Sequence, residues 1–441
     1  MSSCPSRFTA PVALPCDPGC SVLRDAVVDV GADGRITWVG TRAAAPASDA
    51  PVRALPGLLL PGLVNTHCHT PMTVLRGMGG DLPLMRWLTG VIWPAEGRLT
   101  AEDIHAGMVS GGVELLRTGC TTSVEMYFYT DAVIDAVLRV GSRAVVTPCV
   151  IAGPGWDRLG SWEDMLDDIT SRIDAAGLCA GPGDRIELGF GPHAAYTLPP
   201  EALIASGERA RERGALLHIH VAESVHEDVD VRARYGSVPA LLEELGVLGG
   251  RVLAAHGVHL SDADIGLFAG RDTAVAHCPG SNAKLAAGIA RVIDLRRAGV
   301  RLGLGTDGPG SGDDLDLWQQ ARLAGLLARV STADAAALTA ADLLLLATRG
   351  GANAIGRDDL GALEPGRWAD LVHIDLDEPA FVDPSDDAQL LSNLVWAGGS
   401  RLVRDVWVAG EAVLADGEPT RVDRAAARAA VRAVARRLHA S

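Results

Sequence analysis

The chain has 441 residues, 48% apolar and 21% charged, with a formal net charge of −16. That composition is globular, and the negative balance without a basic stripe excludes nucleic acid as a partner while leaving small molecules open. No apolar run reaches the roughly 20 residues that span a bilayer. The start, Met1-Ser2-Ser3-Cys4-Pro5-Ser6-Arg7, lacks the pattern of a secretory leader, so no membrane partner and a cytoplasmic location are expected.

In chain order the first legible element is a hairpin over residues 21–40, turned at Asp33-Gly34, a dipeptide suited to tight strand reversal. Between residues 60 and 310 short apolar runs recur, each followed by polar residues and a longer helical pattern. They are Gly62–Thr66, Thr121–Met126, Ala144–Thr147, Ile186–Phe190, Leu216–Val221, Val252–His256, Thr273–His277 and Val300–Gly305. Strands alternating with helices pair in parallel, and eight such units close naturally into a barrel of about 250 residues. A helical stretch ends near 355, Ala369–Ile374 and Val406–Leu414 read as strands again, and the Ala/Arg-rich segment 423–440 reads as a helix. The expected architecture is therefore α/β: a (β/α)8 TIM-type barrel over 60–360. A small β-sandwich domain is assembled from 1–59 and 361–441, the latter including the terminal helix. The eight cysteines, at 4, 16, 20, 68, 120, 149, 179 and 278, lack the spacing of a zinc finger or a disulfide framework and are expected as reduced thiols.

The most informative motif is His67-Cys68-His69 at the end of the apolar run that begins at Leu58. On an extended strand alternate residues face one side, so both imidazoles project into one pocket. In a barrel the active site lies at the C-terminal ends of the strands. The other run ends supply His220 with Glu223 three residues on, then His256, then Asp307 in Gly305-Thr306-Asp307-Gly308. Three imidazoles and a carboxylate can hold one divalent transition metal and leave a position for water, which assigns His67, His69, His220 and Asp307 as ligands. Glu223 and His256 then stand beside that water. Taken singly, His220 also reads as a core histidine, Glu223 as a helix-capping or loop carboxylate, and Asp307-Gly308 as an ordinary turn. Their shared placement at strand ends favours the site. Barrels of this kind that bind two metals often bridge them with a carboxylated lysine, but the single lysine, Lys284, follows the seventh strand, so one metal is expected.

These residues resemble the amidohydrolase superfamily, within it the mononuclear deaminases and chlorohydrolases. The resemblance rests on Pro61-Gly62-Leu63-Val64-Asn65-Thr66-His67-Cys68-His69, His220-Val221-Ala222-Glu223, His277-Cys278-Pro279-Gly280-Ser281-Asn282 and Leu304-Gly305-Thr306-Asp307-Gly308. It extends to Gly361-Ala362-Leu363-Glu364-Pro365-Gly366, where such enzymes return to the β domain. Arg76-Gly77, Trp87-Leu88, Pro94-Ala95-Glu96-Gly97, Glu125-Met126-Tyr127-Phe128 and Gly191-Pro192-His193 are similar to the 5'-methylthioadenosine/S-adenosylhomocysteine deaminase branch. That likeness implies that Trp87 packs on a nucleoside, Glu96 holds the ribose hydroxyls and His193 meets the substrate. Read without it, Trp87 is a core aromatic and Glu96 a helix-start carboxylate. Where users of S-adenosylhomocysteine tend to carry an arginine after the third strand, this chain has Thr147-Pro148-Cys149, with Arg158 as the candidate substitute.

The expected activity is metal-dependent hydrolytic deamination at C6 of an adenine nucleoside, with zinc, or iron as the alternative, as the one cofactor. Asp307 would take the water proton, His256 would align the nucleophile and Glu223 would protonate the ring nitrogen. The 5' substituent stays open among adenosine, 5'-deoxyadenosine, 5'-methylthioadenosine, S-adenosylhomocysteine and aminofutalosine types, and a homo-oligomer is compatible with the sequence. Two alternatives stand beside this: hydrolysis of another aromatic heterocycle such as guanine, 8-oxoguanine or a chlorotriazine, and a catalytically silent scaffold.

Overall fold

In the computed structural model the protein is described over residues 5–439 except Pro154. The eight apolar runs all contain strands. Leu63–Cys68, Cys120–Glu125, Arg143–Val146 and Ile186–Leu188 pair in parallel in that order, with the two-residue strand Cys179–Ala180 antiparallel on the outer edge. Leu217–Val221, Val252–His256, Ala274–His277 and Leu302–Leu304 form a second parallel set. Isolated parallel bridges join the two sets at both ends, Phe190 to Leu217 and Cys68 to Asp307. The backbone N–H of His218 donates to Phe190 O at 2.9 Å, and that of Asp307 to His67 O at 3.1 Å. Helices such as Ala101–Arg117, Thr130–Val140 and Pro200–Arg213 intervene between strands, as the parallel connections require.

A nine-stranded sheet draws on both ends of the chain. Its order runs Glu418–Pro419, Glu411–Ala415, Val403–Val408, Leu371–Ile374, Leu58–Pro61, Ser6–Ala13, Leu23–Val30, Ile36–Thr41, with Val52–Ala54 paired to Ser6–Ala13. The hairpin expected at residues 21–40 is its Leu23–Val30/Ile36–Thr41 pair. Gly34 has φ +83°, and a Cβ there would lie 2.4 Å from Ala409 O, so the turn needs glycine for its backbone and for its packing.

The apolar run 58–68 serves both sheets. Leu58–Pro61 pairs antiparallel with Leu371–Ile374, and Leu63–Cys68 pairs parallel with Cys120–Glu125. The change falls at Gly62, where a Cβ would sit 2.0 Å from Thr121 Oγ1. Arg143, fully buried, clamps the junction. It donates to both carboxylate oxygens of Asp370 at 2.9 and 3.0 Å and to the carbonyls of Gly183 and Asp184 at 2.6 and 2.8 Å. The Ala/Arg-rich segment forms the helix Arg424–His439, which buries Val434 and Leu438 and pairs Arg437 with Asp103. Cysteines 16, 20, 68, 120, 149, 179 and 278 are free thiols; Cys4 lies outside the described residues.

Candidate metal centre and active-site cavity

The strand Leu63–Cys68 carries His67 to its end, and His69 follows as the N-cap of the 3-10 helix Thr70–Leu75. The two imidazoles meet edge to face at 4.7 Å. Asp307 Oδ1 lies 3.2 Å from Nε2 of both, and His69 Nε2 lies 3.3 Å from His220 Nε2. His67, His220, His256 and Asp307 can each bring one donor atom within 4.8 Å of every other, and all four are buried. Their convergence has a backbone cost: Ala222, His256 and Asp307 sit at φ 51°, 73° and 59°, the left-handed region that side-chain-bearing residues avoid.

The outward nitrogen of each imidazole is already spoken for. His67 Nδ1 pairs with His218 Nε2 at 2.8 Å, His69 Nδ1 with Met126 O at 2.6 Å, His220 Nδ1 with His193 O at 2.8 Å, and His256 Nδ1 with Asn282 Oδ1 at 2.8 Å. Such partners orient ligating histidines. Every Nε2 is left facing the cluster, and those of His67 and His256 are buried without a well-formed hydrogen bond. Burial pushes the His67 imidazole down to about 3 and that of His220 well below its usual range, so both are neutral, the form that ligates. Burial alone would raise the Asp307 carboxyl, but the bonds with His67 and His69 outweigh it and hold it well below the carboxylate range. Ser311 donates its hydroxyl to Asp307 Oδ2 at 2.7 Å. Inward Nε2 atoms gathered around an ionised carboxylate, with the outward nitrogens already bonded, fit a divalent cation. Lys284 stands apart, paired with Asp313 at 2.5 Å.

A cavity of about 610 Å3, its open mouth included, rises from this cluster. His69, His220, His256 and Asp307 form part of its lining, with His67 fully buried beneath. Glu223 borders it, 3.9 Å from His256 Nε2, and burial raises its carboxyl. Its backbone N–H donates to Glu227 Oε2 at 2.9 Å. Trp87, Glu96 and His193 line the same cavity. Trp87 spends its indole N–H on Met78 O at 3.0 Å, leaving its ring as the surface it offers. Glu96 accepts the Tyr127 hydroxyl at 2.7 Å, and burial pushes its carboxyl up to about 7. His193 is tied through Nδ1 to Thr197 Oγ1 at 3.1 Å and lies 4.7 Å from the His220 ring.

Arg158 does not line this cavity. Its guanidinium donates to Tyr129 Oη at 2.8 Å and to the backbone carbonyl of Glu96 at 3.0 Å. Several residues without an assigned role in the sequence reading complete the site: His218 behind His67, Asn282 behind His256, Ser311 on Asp307 and Tyr127 on Glu96. Glu125, fully buried, accepts from the backbone and hydroxyl of Thr70 and from Ser123 Oγ, and so anchors the turn after His69. His218 had a signal, since it precedes His220 by two residues and shares its strand face. Glu125 ends the strand Cys120–Glu125 and Asn282 lies in the short helix Pro279–Lys284, both inside the motif segments that carry the resemblance, as is Tyr127; Ser311 sits in a loop where no periodicity points to it.

Comparison with known proteins gives a consistent picture. Residues 58–413 match the model of the amidohydrolase family. A 5-methylthioadenosine/S-adenosylhomocysteine deaminase of Pelotomaculum thermopropionicum is 40% identical over 397 residues, 89% of each chain. A 5'-deoxyadenosine deaminase of Methanothermobacter thermautotrophicus is 38% identical over 88% of each. Among solved structures, an adenosine deaminase from Xanthomonas campestris with bound zinc superposes with a TM-score of 0.92 over the whole of both chains at 36% identity.

Proposed function

The chain belongs to the amidohydrolase family, and we propose that it is a metal-dependent deaminase that hydrolyses the 6-amino group of an adenine nucleoside to the 6-oxo product and ammonia. The observation that carries this reading is that an imidazole–carboxylate cluster, Glu223, Trp87, Glu96 and His193 border one cavity. The deaminase names of the relatives support it. We read the two parallel strand sets as one closed barrel over 60–360, supported by the bridges at both seams, with 1–59 and 361–441 as a small β domain.

His67, His69, His220 and Asp307 would hold one divalent ion, zinc being suited to this donor set. When bound, such an ion makes water a usable nucleophile at neutral pH. The chain's own groups do the rest. Asp307, kept ionised by its imidazole neighbours and oriented by Ser311, accepts a proton from the attacking water and delivers it to the departing amine. His256, fixed by Asn282, aligns that water through Nε2. Glu223, whose buried carboxyl keeps its proton to a higher pH, protonates the ring nitrogen next to C6 and is restored by the hydroxyl proton released as the 6-oxo group forms. Trp87 covers the nucleoside, Glu96 takes the ribose hydroxyls and His193 contacts the substrate beside His220.

The test is an ammonia-release screen over adenosine, 5'-deoxyadenosine, 5'-methylthioadenosine and S-adenosylhomocysteine beside guanine, 8-oxoguanine and cytosine, with chloride release followed for a chlorotriazine. Adenosines should lead. Faster turnover of a free base or a triazine than of every adenosine would replace this reading.

A further inference from the structure

The end of the cavity beside Glu96 has a distinct chemistry. Tyr127, bonded to Glu96, is followed by Phe128, whose ring stacks on Trp156 with centroids 4.6 Å apart and planes 27° apart. Arg158, bonded to the Glu96 carbonyl, lies two residues past Trp156. Phe128 and Trp156 are thus held next to the group assigned to the ribose, and Cys149 and Ile151 line the same wall. All four are buried.

The 5' end of the cavity is short of cationic side chains. Among the described residues the cavity lining includes the carboxyls of Glu96, Glu223 and Asp307 and no lysine or arginine. The guanidinium placed beside this wall, that of Arg158, is occupied by Tyr129 Oη and the Glu96 carbonyl. It lies 5.8 Å from the Trp156 ring centroid and lines a neighbouring surface cavity with Tyr129 and Pro148 instead. A carboxylate entering beside Phe128 and Trp156 would lose water without gaining a free cationic side chain and would lie near the Glu96 carboxyl. A thioether would gain contact with two aromatic rings, a favourable pairing for sulfur.

Resting on the deaminase reading, we infer that the site selects adenosines with a short, uncharged, apolar 5' substituent, methylthio above all, and disfavours the amino-acid tail of S-adenosylhomocysteine. Phe128 and Trp156 are the residues that set this preference.

Initial rates of ammonia release from the metal-loaded enzyme test it. The kcat/KM for 5'-methylthioadenosine should exceed that for S-adenosylhomocysteine by at least about tenfold, and a smaller ratio overturns the inference while leaving the deaminase reading standing. If no adenosine is turned over, the deaminase reading fails and the inference falls with it. Trp156→Leu should lower the 5'-methylthioadenosine to adenosine ratio by about tenfold, because a methyl-sized group in an apolar pocket is worth about that much. The ratio is internal to each preparation, so partial misfolding does not mimic it. An unchanged ratio would remove Trp156 from the selection.

Discussion

Glu96 offers the sharpest quantitative test, because its carboxylate is buried, already bonded on one side and poised to titrate. Oε1 is taken by the Tyr127 hydroxyl, leaving Oε2 to receive the ribose diol. A 2'-deoxy substrate removes one of the two hydroxyl donors to that buried acceptor, at about 1–3 kcal/mol, or about 5- to 150-fold in kcat/KM. The gap should also depend on pH. Burial raises the carboxyl, the Tyr127 bond and the charges of His69 and Arg158 partly oppose it, and the balance falls at about 7. Above that pH the group is an anion and accepts both hydroxyls; below it, a proton occupies the acceptor and the advantage of a ribose shrinks. Between pH 8 and pH 6 the ionised fraction falls about tenfold, so the ribo to 2'-deoxy ratio should fall by up to about that factor. Taking the ratio at each pH cancels titration of the groups that act at C6. Glu96→Ala should erase the gap, and Glu96→Gln should keep part of it without the pH dependence. A gap that is absent, or constant from pH 6 to pH 8, would refute the role.

Elemental analysis should find about one zinc-like ion per chain, with His67→Ala plus His220→Ala stripping it; two ions per chain, or full content in the double variant, would sink the ligand assignment. Glu223→Gln should retain the metal and lose turnover by a factor of about 100 or more, and unchanged turnover would reduce Glu223 to a loop carboxylate. His218→Phe removes the partner of His67 Nδ1 without touching the cavity, so metal affinity should drop by about 10- to 100-fold in chelator competition; unaltered affinity would show that His218 only fills space. Asp370→Asn leaves the Arg143 guanidinium buried without its counter-charge and should cost about 3–5 kcal/mol in chemical denaturation. A loss below about 1 kcal/mol would mean that the carbonyls of Gly183 and Asp184 suffice for it.

The parallel strands were legible because each is short and buried throughout and most are apolar runs, which need only composition and punctuation to be found. The strand Ser6–Ala13 was not, although it pairs with three neighbours in the nine-stranded sheet. Its sequence, Ser-Arg-Phe-Thr-Ala-Pro-Val-Ala, carries a proline and neither alternates nor runs apolar, and it is held by partners brought from residues 52–59. The division of the run 58–68 between two sheets was equally hidden. Gly62 marks it, but a glycine inside an apolar run shows its meaning only when Thr121 is seen against it.

For the site, residue type and strand-end position sufficed to bring His67, His69, His220, Glu223, His256 and Asp307 to one place. What they could not convey is how the place is held. Ala222, His256 and Asp307 adopt left-handed backbone without being glycine, which costs of order 1–3 kcal/mol each and lasts only where surroundings over-determine it. Two of these supports are long-range, Asn282 fixing His256 and the N–H of Asp307 bonding to His67 O across a seam, while a local one has Glu227 accepting the N–H of Glu223. A motif names the groups that perform chemistry because side-chain chemistry is written in residue identity. The strain that aims them is a property of contacts between distant segments, and it is concentrated at the strand ends that the motif marks. Substitutions at Asn282 or Glu227 should therefore act on catalysis through geometry, changing kcat more than metal content.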